Sequence, residues 1–360
     1  MDMLNSSCFS GREDQRPFSE IELFGTLGPS CHERDTLVSM IQAGMNGIRL
    51  NLSHGSLKQC EEWIEALHEA EELCGCRLNF LMDLKGRELR IGRMDELELS
   101  EGQIVSFGHE IPAEQEILQL IRQGDLIDLD DGQISLRALS YDAGQPAWLC
   151  EVLAGGLLGS LKSVRIRGRI SPFSPLCEQD LENLACAARY GVSSVMVPFV
   201  QCRQDLERVR CALDEYGLSL KIYAKIENRT GMKNLKDFAG LADVIVIARG
   251  DLGTDTGLYE LPGAQADIEK FCRRHDKDYM VVTQMLTSMI DHPICTRAEA
   301  NDVFSAIRNG ACSVMVTNET AAGNYPVQTI KTLYRLARSG YAYRLKEIAE
   351  TQISPDRISG

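Results

Sequence analysis

Short strand-forming runs alternate with longer segments of helical period along most of this chain, and that alternation limits the fold more than any other feature. The runs are IELFGTLG (21–28), GIRLNLS (47–53), NFLMDLKG (79–86), SSVMVPFV (193–200), KIYAKIEN (221–228), ADVIVIARG (242–250), YMVVTQML (279–286) and CSVMVTNE (312–319). Segments such as KQCEEWIEALHEAEELCG and QCRQDLERVRCALDEYG lie between them, with apolar residues three and four apart. The strand runs are apolar on both faces, as parallel strands covered by helices must be. Eight such units predict an α/β protein of the closed (β/α)8 TIM-barrel kind. An open doubly wound sheet is the alternative, but no GxGxxG opens a βαβ unit near the start.

The alternation breaks once, between the third strand and its helix. LIDLDDGQISLRAL places two alternating runs around Asp-Gly, a hairpin signal. AWLCEVLAGGLLGS and KSVRIRGRI also read as strands with glycine turns. This predicts a small β-rich domain, 92–171, inserted into a barrel of 21–91 and 172–346. An N-terminal arm (1–20), a final helix from about Val327 to Lys346 and a tail (347–360) complete the expected organisation.

A formal net charge of −14 argues against general nucleic-acid or membrane-surface binding, since the long-range field repels polyanions. No run is long enough to span a bilayer, and the first residues lack the apolar core of a signal peptide, so a cytoplasmic protein is expected. Thirteen cysteines are scattered without CxxC or zinc spacing, which reads as reduced thiols used as small apolar side chains.

Barrel enzymes work at the C-terminal ends of their strands. Those ends carry Arg49, Asn51, Ser53 and His54; Asp83, Lys85 and Arg90; Lys225 and Glu227; Arg249, Gly250 and Asp251; Thr283 and Gln284; Thr317 and Glu319. Side chains alternate across a strand, so Lys225 and Glu227 point to the same side, as does Tyr223. Glu227 and Asp251 offer hard oxygens that suit Mg2+ or Mn2+. Arg49 and Lys225 suit a phosphoryl group, one as a fork and one as a point charge. An amine and a metal flanking a phosphoryl group is what phosphoryl transfer requires. Arg165, Arg167 and Arg169 alternate along one strand, as a solvated edge or as a polyphosphate contact.

GTLGPS, AGMNGIRLNLSHGS, MDLKGRELRIG, KIEN, IARGDLG, TQMLTSM, TRAEANDV and NETAAGNYP follow one another in an order and spacing that resembles the pyruvate kinase family. The resemblance runs from about Ile21 to the final helix and includes the inserted domain. It implies transfer of phosphate from phosphoenolpyruvate to ADP, giving pyruvate and ATP, with Mg2+ (or Mn2+) and K+. It implies that Lys225 stabilises the phosphoryl group in transit, that Arg49 grips the substrate phosphate, and that Glu227 and Asp251 hold the divalent metal. The backbone at Gly250 and Asp251, with Thr283, would receive the substrate carboxylate, and Thr283 would lie where the enolate is protonated. Asn51, Ser53, Asp83 and the Leu84 carbonyl match a K+ site, and Glu88 matches the acidic residue that accompanies K+ dependence. His54, Arg90 and Lys162 match positions near the nucleotide, as does Asn51, with Lys162 on a lid.

The chain departs from the family pattern in places. The C-terminal domain with its sugar-phosphate effector site is expected to be missing, and the inserted domain is shortened between about Met94 and Gly124. Leu84 and Arg87 replace threonine and proline, Thr287 replaces glutamate, and Thr317-Asn318 replaces Ser-Gly. Arg165-Ile166-Arg167-Gly168 stands for the usual Asn-Leu-Pro-Gly. These changes keep two other readings open: a paralogue acting on another acid or phosphoryl acceptor in a biosynthetic pathway, and a non-catalytic regulatory protein. The resemblance also makes a barrel–barrel homodimer a possible assembly.

Overall fold

The computed structural model describes residues 17–53, 55–86, 89–130, 132–169 and 173–353, the side chains of 351–353 excepted. His54, Arg87 and Glu88 therefore lie outside the described residues, as do the ends of the chain.

The first three strands, β1 (Glu22–Leu27), β2 (Gly47–Asn51) and β3 (Asn79–Asp83), are separated by α1 (Arg34–Gln42) and α2 (Glu61–Cys74). Then comes the inserted β region: β4 (Leu97–Leu99), β5 (Ile104–Phe107), α3 (Gln115–Leu120), β6 (Leu126–Leu129), β7 (Ile134–Asp142), β8 (Ala147–Ala154), β9 (Gly156–Leu158) and β10 (Val164–Ile166). Parallel alternation resumes with α4 (Glu178–Cys186), β11 (Ser194–Val197), α5 (Arg203–Glu215), β12 (Lys221–Ile226), α6 (Arg229–Phe238) and β13 (Val244–Ala248). It ends with α7 (Arg249–Thr256), α8 (Leu261–Arg274), β14 (Asp278–Val282), α9 (Arg297–Arg308), β15 (Ser313–Met315), α10 (Asn318–Ala321) and α11 (Pro326–Ile353).

Eight parallel strands close into a barrel in the order β1-β15-β14-β13-β12-β11-β3-β2. The chain is thus an α/β barrel, as the alternation predicts. The inserted strands are antiparallel, in one sheet ordered β10-β6-β7-β8-β5 and a β4-β9 pair. The β6–β7 hairpin is the one predicted around Asp-Gly. β4, β5 and α3 were not anticipated: runs of three to six residues are too short to establish a period. Strand six ends at Ala248, so Arg249 opens α7 instead of ending the strand, and the last helix runs to Ile353, beyond the expected Lys346.

Alternation on each strand divides the barrel's apolar residues into two sets. Ile222, Ala224 and Ile226 of β12 pack outward with the helices, together with Ile245 and Ile247 of β13. Tyr223 faces inward with Val244, Val246, Met280, Leu81 and Phe24. Period two then places Lys225, and Glu227 beyond it, on the inward side at the C-terminal rim. The same rule on β2 and β3 sends Ile48, Leu50, Phe80 and Met82 outward and leaves Arg49 and Asp83 for the interior. At the opposite end, Tyr223 donates its hydroxyl to Glu22 Oε2 at 2.6 Å and accepts from Asn79 Nδ2 at 2.9 Å, so the buried phenol has its polar partners. The inserted region has a core of its own, including Phe107, Ile127, Leu136 and Val152.

Closure between the first and last strands is reinforced by two buried threonines. Thr26 N donates to Thr320 Oγ1 at 2.8 Å, Thr320 Oγ1 donates to Thr26 O at 3.0 Å, and Thr26 Oγ1 donates to Val316 O at 3.0 Å. Thr320→Val keeps the shape but orphans the Thr26 amide in a buried seam. It is expected to destabilise the protein by about 1–3 kcal/mol, read from the denaturant midpoint at unchanged m-value. An unchanged midpoint would show that the seam does not depend on this hydroxyl.

Candidate active site

Four charged side chains, from β2, β3 and the C-terminal end of β12, meet inside the barrel mouth. Arg49 Nη2 and Nε lie 2.6 and 2.8 Å from Asp83 Oδ2. Lys225 Nζ lies 3.4 Å from Asp83 Oδ1 and 3.3 Å from Glu227 Oε1. Glu227 Oε2 accepts the Phe199 amide at 2.6 Å, which aims the carboxylate. Asp83 and Glu227 are almost fully buried, while the Lys225 side chain keeps 15% of its surface open. Burial pulls the Lys225 amine down, but Asp83 and Glu227 outweigh it, so its pKa stands above the ordinary value. Lys225 is therefore a fixed cation at neutral pH.

Burial acts in the opposite sense on Glu227, whose pKa is pushed up to about 7; Lys225 opposes the rise and nearby Asp251 adds to it. Both carboxylates line one crevice of about 120 Å³ between the inserted region and the barrel. Two hard-oxygen donors crowded this way fit a divalent cation, whose charge would relieve the repulsion between them. Among the described residues no three His, Cys, Asp or Glu side chains form a metal cage.

The candidate monovalent-cation residues are also neighbours. Asn51 and Asp83 are register partners on β2 and β3, and Ser53 Oγ donates to Asn51 Oδ1 at 2.9 Å. Leu84 is the next residue along, its amide donating to Met196 O at 3.0 Å. Asp83 Oδ1 is buried and has no hydrogen-bond donor, with only Lys225 at ion-pair distance. An acceptor in that state fits a site that takes a cation.

Gly250 and Asp251 occupy the first turn of α7, where backbone amides and helix dipole favour an anion. The Gly250 amide donates to Thr283 Oγ1 at 2.9 Å, so these two candidates are in contact. Thr283 and Gln284 adopt φ of 71° and 53°, a left-handed backbone that is strained for a β-branched residue. The buried Arg249 maintains it. Its Nε donates to Thr283 O at 3.1 Å and its Nη2 to Gln284 O at 3.1 Å, while Nη1 pairs with Asp302 at 2.6 and 2.8 Å. Arg249 thus orders the site backbone instead of facing the mouth.

Glu319 also departs from expectation. It is buried and accepts Thr317 N at 2.6 Å, Thr317 Oγ1 at 3.1 Å and Leu286 N at 3.3 Å, so it ties two strand-end loops together. Lys85, two residues beyond Asp83, is an exposed loop residue, but its amide and that of Gly86 donate to Asp180 at 2.9 and 3.0 Å. Asp302 and Asp180 were missed because both sit on helices remote in sequence from the strands they hold. The candidate nucleotide residues Arg90 and Lys162 are adjacent: Arg90 bridges Ser163, Ile91 N donates to Lys162 O at 2.9 Å, and Lys162 Nζ pairs with Asp130 at 2.9 Å. The three alternating arginines all have acidic partners, Asp255, Asp128 and Asp125. The cysteines among the described residues form no disulfide.

Fold and rim together define an enzyme of the (β/α)8-barrel class with an inserted β region over its mouth. Residues 18–330 match the family described as "Pyruvate kinase, barrel domain". The chain is 34% identical over 326 residues to the pyruvate kinase of Aeropyrum pernix, covering 89% of this chain and 71% of that protein. It is 33% identical to that of Thermococcus litoralis (91% and 71%) and 35% identical to that of Geobacillus stearothermophilus (87% and 55%). The chain belongs to the pyruvate kinase family. It spans between about half and about seven tenths of the length of these relatives.

The loop after Thr283 is held by Glu299, which accepts Ser288 N at 2.7 Å and Thr296 N at 2.8 Å as part of the capping box of α9. Burial would raise its pKa, but the hydrogen bonds from Ser288 and Thr296 prevail and lower it. A lowered folded-state pKa gives stability that is present above the unfolded value near ~4.3 and is lost as pH falls through the folded value. Glu299→Gln should lower the denaturant midpoint at pH 7 and flatten its fall from about pH 5 to about pH 3. A variant whose midpoint follows the parent at every pH would contradict this role.

Proposed function

We propose that this chain transfers a phosphoryl group from phosphoenolpyruvate to ADP, giving pyruvate and ATP. The observation that carries the reading is Lys225, charged and buried between Asp83 and Glu227 at the barrel mouth. A phosphoryl group in transit carries spread negative charge and needs positioning and neutralisation more than covalent help. The amine is not required to give up its proton and serves as a fixed point charge.

Arg49, oriented through Asp83, would grip the substrate phosphate with its remaining N–H donors. The Gly250 and Asp251 amides and the Thr283 hydroxyl would take the substrate carboxylate, exchanging the Gly250–Thr283 bond for bonds to the ligand. That carboxylate would fix the enolate's orientation for protonation near Thr283. A threonine hydroxyl is a poor acid, so the proton would arrive through a relay.

Glu227 and Asp251 would hold Mg2+ or Mn2+, which supplies neutralisation of phosphoryl and enolate oxygens when bound. Asn51, Ser53, Asp83 and the Leu84 carbonyl would hold K+. Arg90, Lys162, His54 and Asn51 would meet ADP, with residues 92–171 acting as the lid. Among the described residues no helix is long and apolar enough to cross a membrane; a cytoplasmic location is part of this proposal.

A coupled assay with phosphoenolpyruvate, ADP, Mg2+ and K+ should show ATP formation. Lys225→Met should lower kcat by about 10²-fold or more, the scale for losing a preorganised charge at a transition state, with the far-UV spectrum unchanged. Equal turnover by parent and variant would exclude the reading, as would transfer confined to other phosphoryl donors.

A further inference from the structure

Three arginines alternate at 165, 167 and 169, and their partners separate them. Arg167 grips Asp128 with Nε and Nη2 at 2.7 and 2.8 Å, and Arg169 grips Asp125 at 2.9 and 2.8 Å. Both of these acids belong to the inserted region, at and just before β6. Arg165 crosses to the barrel, with Nη1 3.4 Å from Asp255 Oδ1 on α7. Its side chain is 24% exposed, against 48% and 40% for the other two. Two bidentate forks tie the inserted sheet to itself, and one looser contact ties it to the barrel mouth.

The barrel end of that contact is anchored where it matters for the site. Asp255 is 7% exposed, and its Oδ2 accepts the Arg229 amide at 2.7 Å. Arg229 opens α6, two residues beyond Glu227, and Asp255 lies one helical turn beyond Asp251, on the same face of α7. One carboxylate of α7, the helix that carries Asp251, therefore also holds the start of α6, two residues beyond Glu227. Next to it, Gly132 of the β6–β7 turn comes so close to Thr254 that an added Cβ would stand 2.9 Å from Thr254 Cγ2. The inserted region thus rests on two consecutive residues of α7. Lys162 lies three residues before Arg165, just ahead of β10, so restraining Arg165 also restrains the backbone that carries Lys162, whose Nζ is 2.9 Å from Asp130.

The geometry points to the Arg165–Asp255 pair as a latch between lid and barrel, with Arg165 as a positioning residue that sets Lys162 over the phosphoryl acceptor. Its kinetic consequence rests on the phosphotransfer reading above, while the latch itself does not. A single charge pair at 3.4 Å, partly open to water, is weak enough to open for nucleotide entry and strong enough to bias the closed state.

The test uses Arg165→Asn, Arg165→Lys, Asp255→Asn and the Arg165→Asn/Asp255→Asn double variant in the full chain. Each charge-removing change is expected to raise KM for ADP about three- to tenfold, with kcat within about twofold. The double variant should be no worse than the poorer single, and Arg165→Lys should recover most of the loss. Hydrogen exchange in the ligand-free protein gives a readout independent of turnover: amides of 164–166 and 254–256 should exchange faster in both single variants, and no faster still in the double. An unchanged KM, or losses that multiply in the double variant, would overturn the positioning role. Exchange unchanged in both regions would overturn the latch. If the parent fails to transfer phosphate while the exchange coupling is present, the phosphotransfer reading falls and the latch stands. Should Asp255→Asn unfold, Arg165→Asn against Arg165→Lys decides both points.

Discussion

A lysine held between two buried carboxylates at the rim of a closed barrel is the interaction on which the rest of this structure depends. Burying charge is costly unless it is paired, and breaking such a pair leaves an uncompensated charge behind. Lys225, Asp83, Glu227 and Arg49 offset one another only while β2, β3 and β12 keep their places in the barrel. The apolar layers beneath them, from Phe24 and Tyr223 up to Val246 and Leu81, keep those places. The balance is still incomplete: Glu227 titrates high beside Asp251, and Asp83 Oδ1 has no hydrogen-bond donor. An acidic rim of this kind favours the cations that a phosphoryl-transfer site requires.

Strain supplies a second constraint. Thr283 and Gln284 lie in left-handed backbone, a conformation that costs on the order of 1–3 kcal/mol per residue. Arg249 holds both carbonyls and is itself held by Asp302 from α9. The Thr283 hydroxyl is thereby fixed against the Gly250 amide at the start of α7 before any ligand arrives. A site organised in advance loses less on binding and can spend its contacts on the reacting group.

How far the sequence revealed this site depends on where each residue sits relative to its strand. Within a strand the two-residue period is reliable, so Lys225 and, one residue past the end of β12, Glu227 could be assigned to one side before any coordinates, whereas Arg49 and Asp83 could be placed only at strand ends. Past the end of a strand the period lapses. Arg249 and Glu319 carry charges at the right chain positions, yet both turn into the backbone and hold loops together. Asp302 and Asp180 act from helices far away in sequence, and no local pattern marks them. The inserted region was legible where a hairpin had a turn signal and strands of useful length, and illegible at β4, β5 and α3, where three to six residues carry no period. The alternating arginines, read as a solvated edge or as a polyphosphate contact, each pair with a carboxylate.

The central claim is that a divalent cation and the Lys225 amine flank one reacting group at the barrel mouth. A crystal structure with Mn2+ and a non-reactive phosphoenolpyruvate analogue, the metal located by its anomalous signal, tests it most directly. The account predicts Mn2+ about 2–2.2 Å from carboxylate oxygens of Glu227 and Asp251, with Lys225 Nζ in contact with the phosphoryl mimic. A metal bound by other side chains, or an analogue seated out of reach of Lys225, would contradict it.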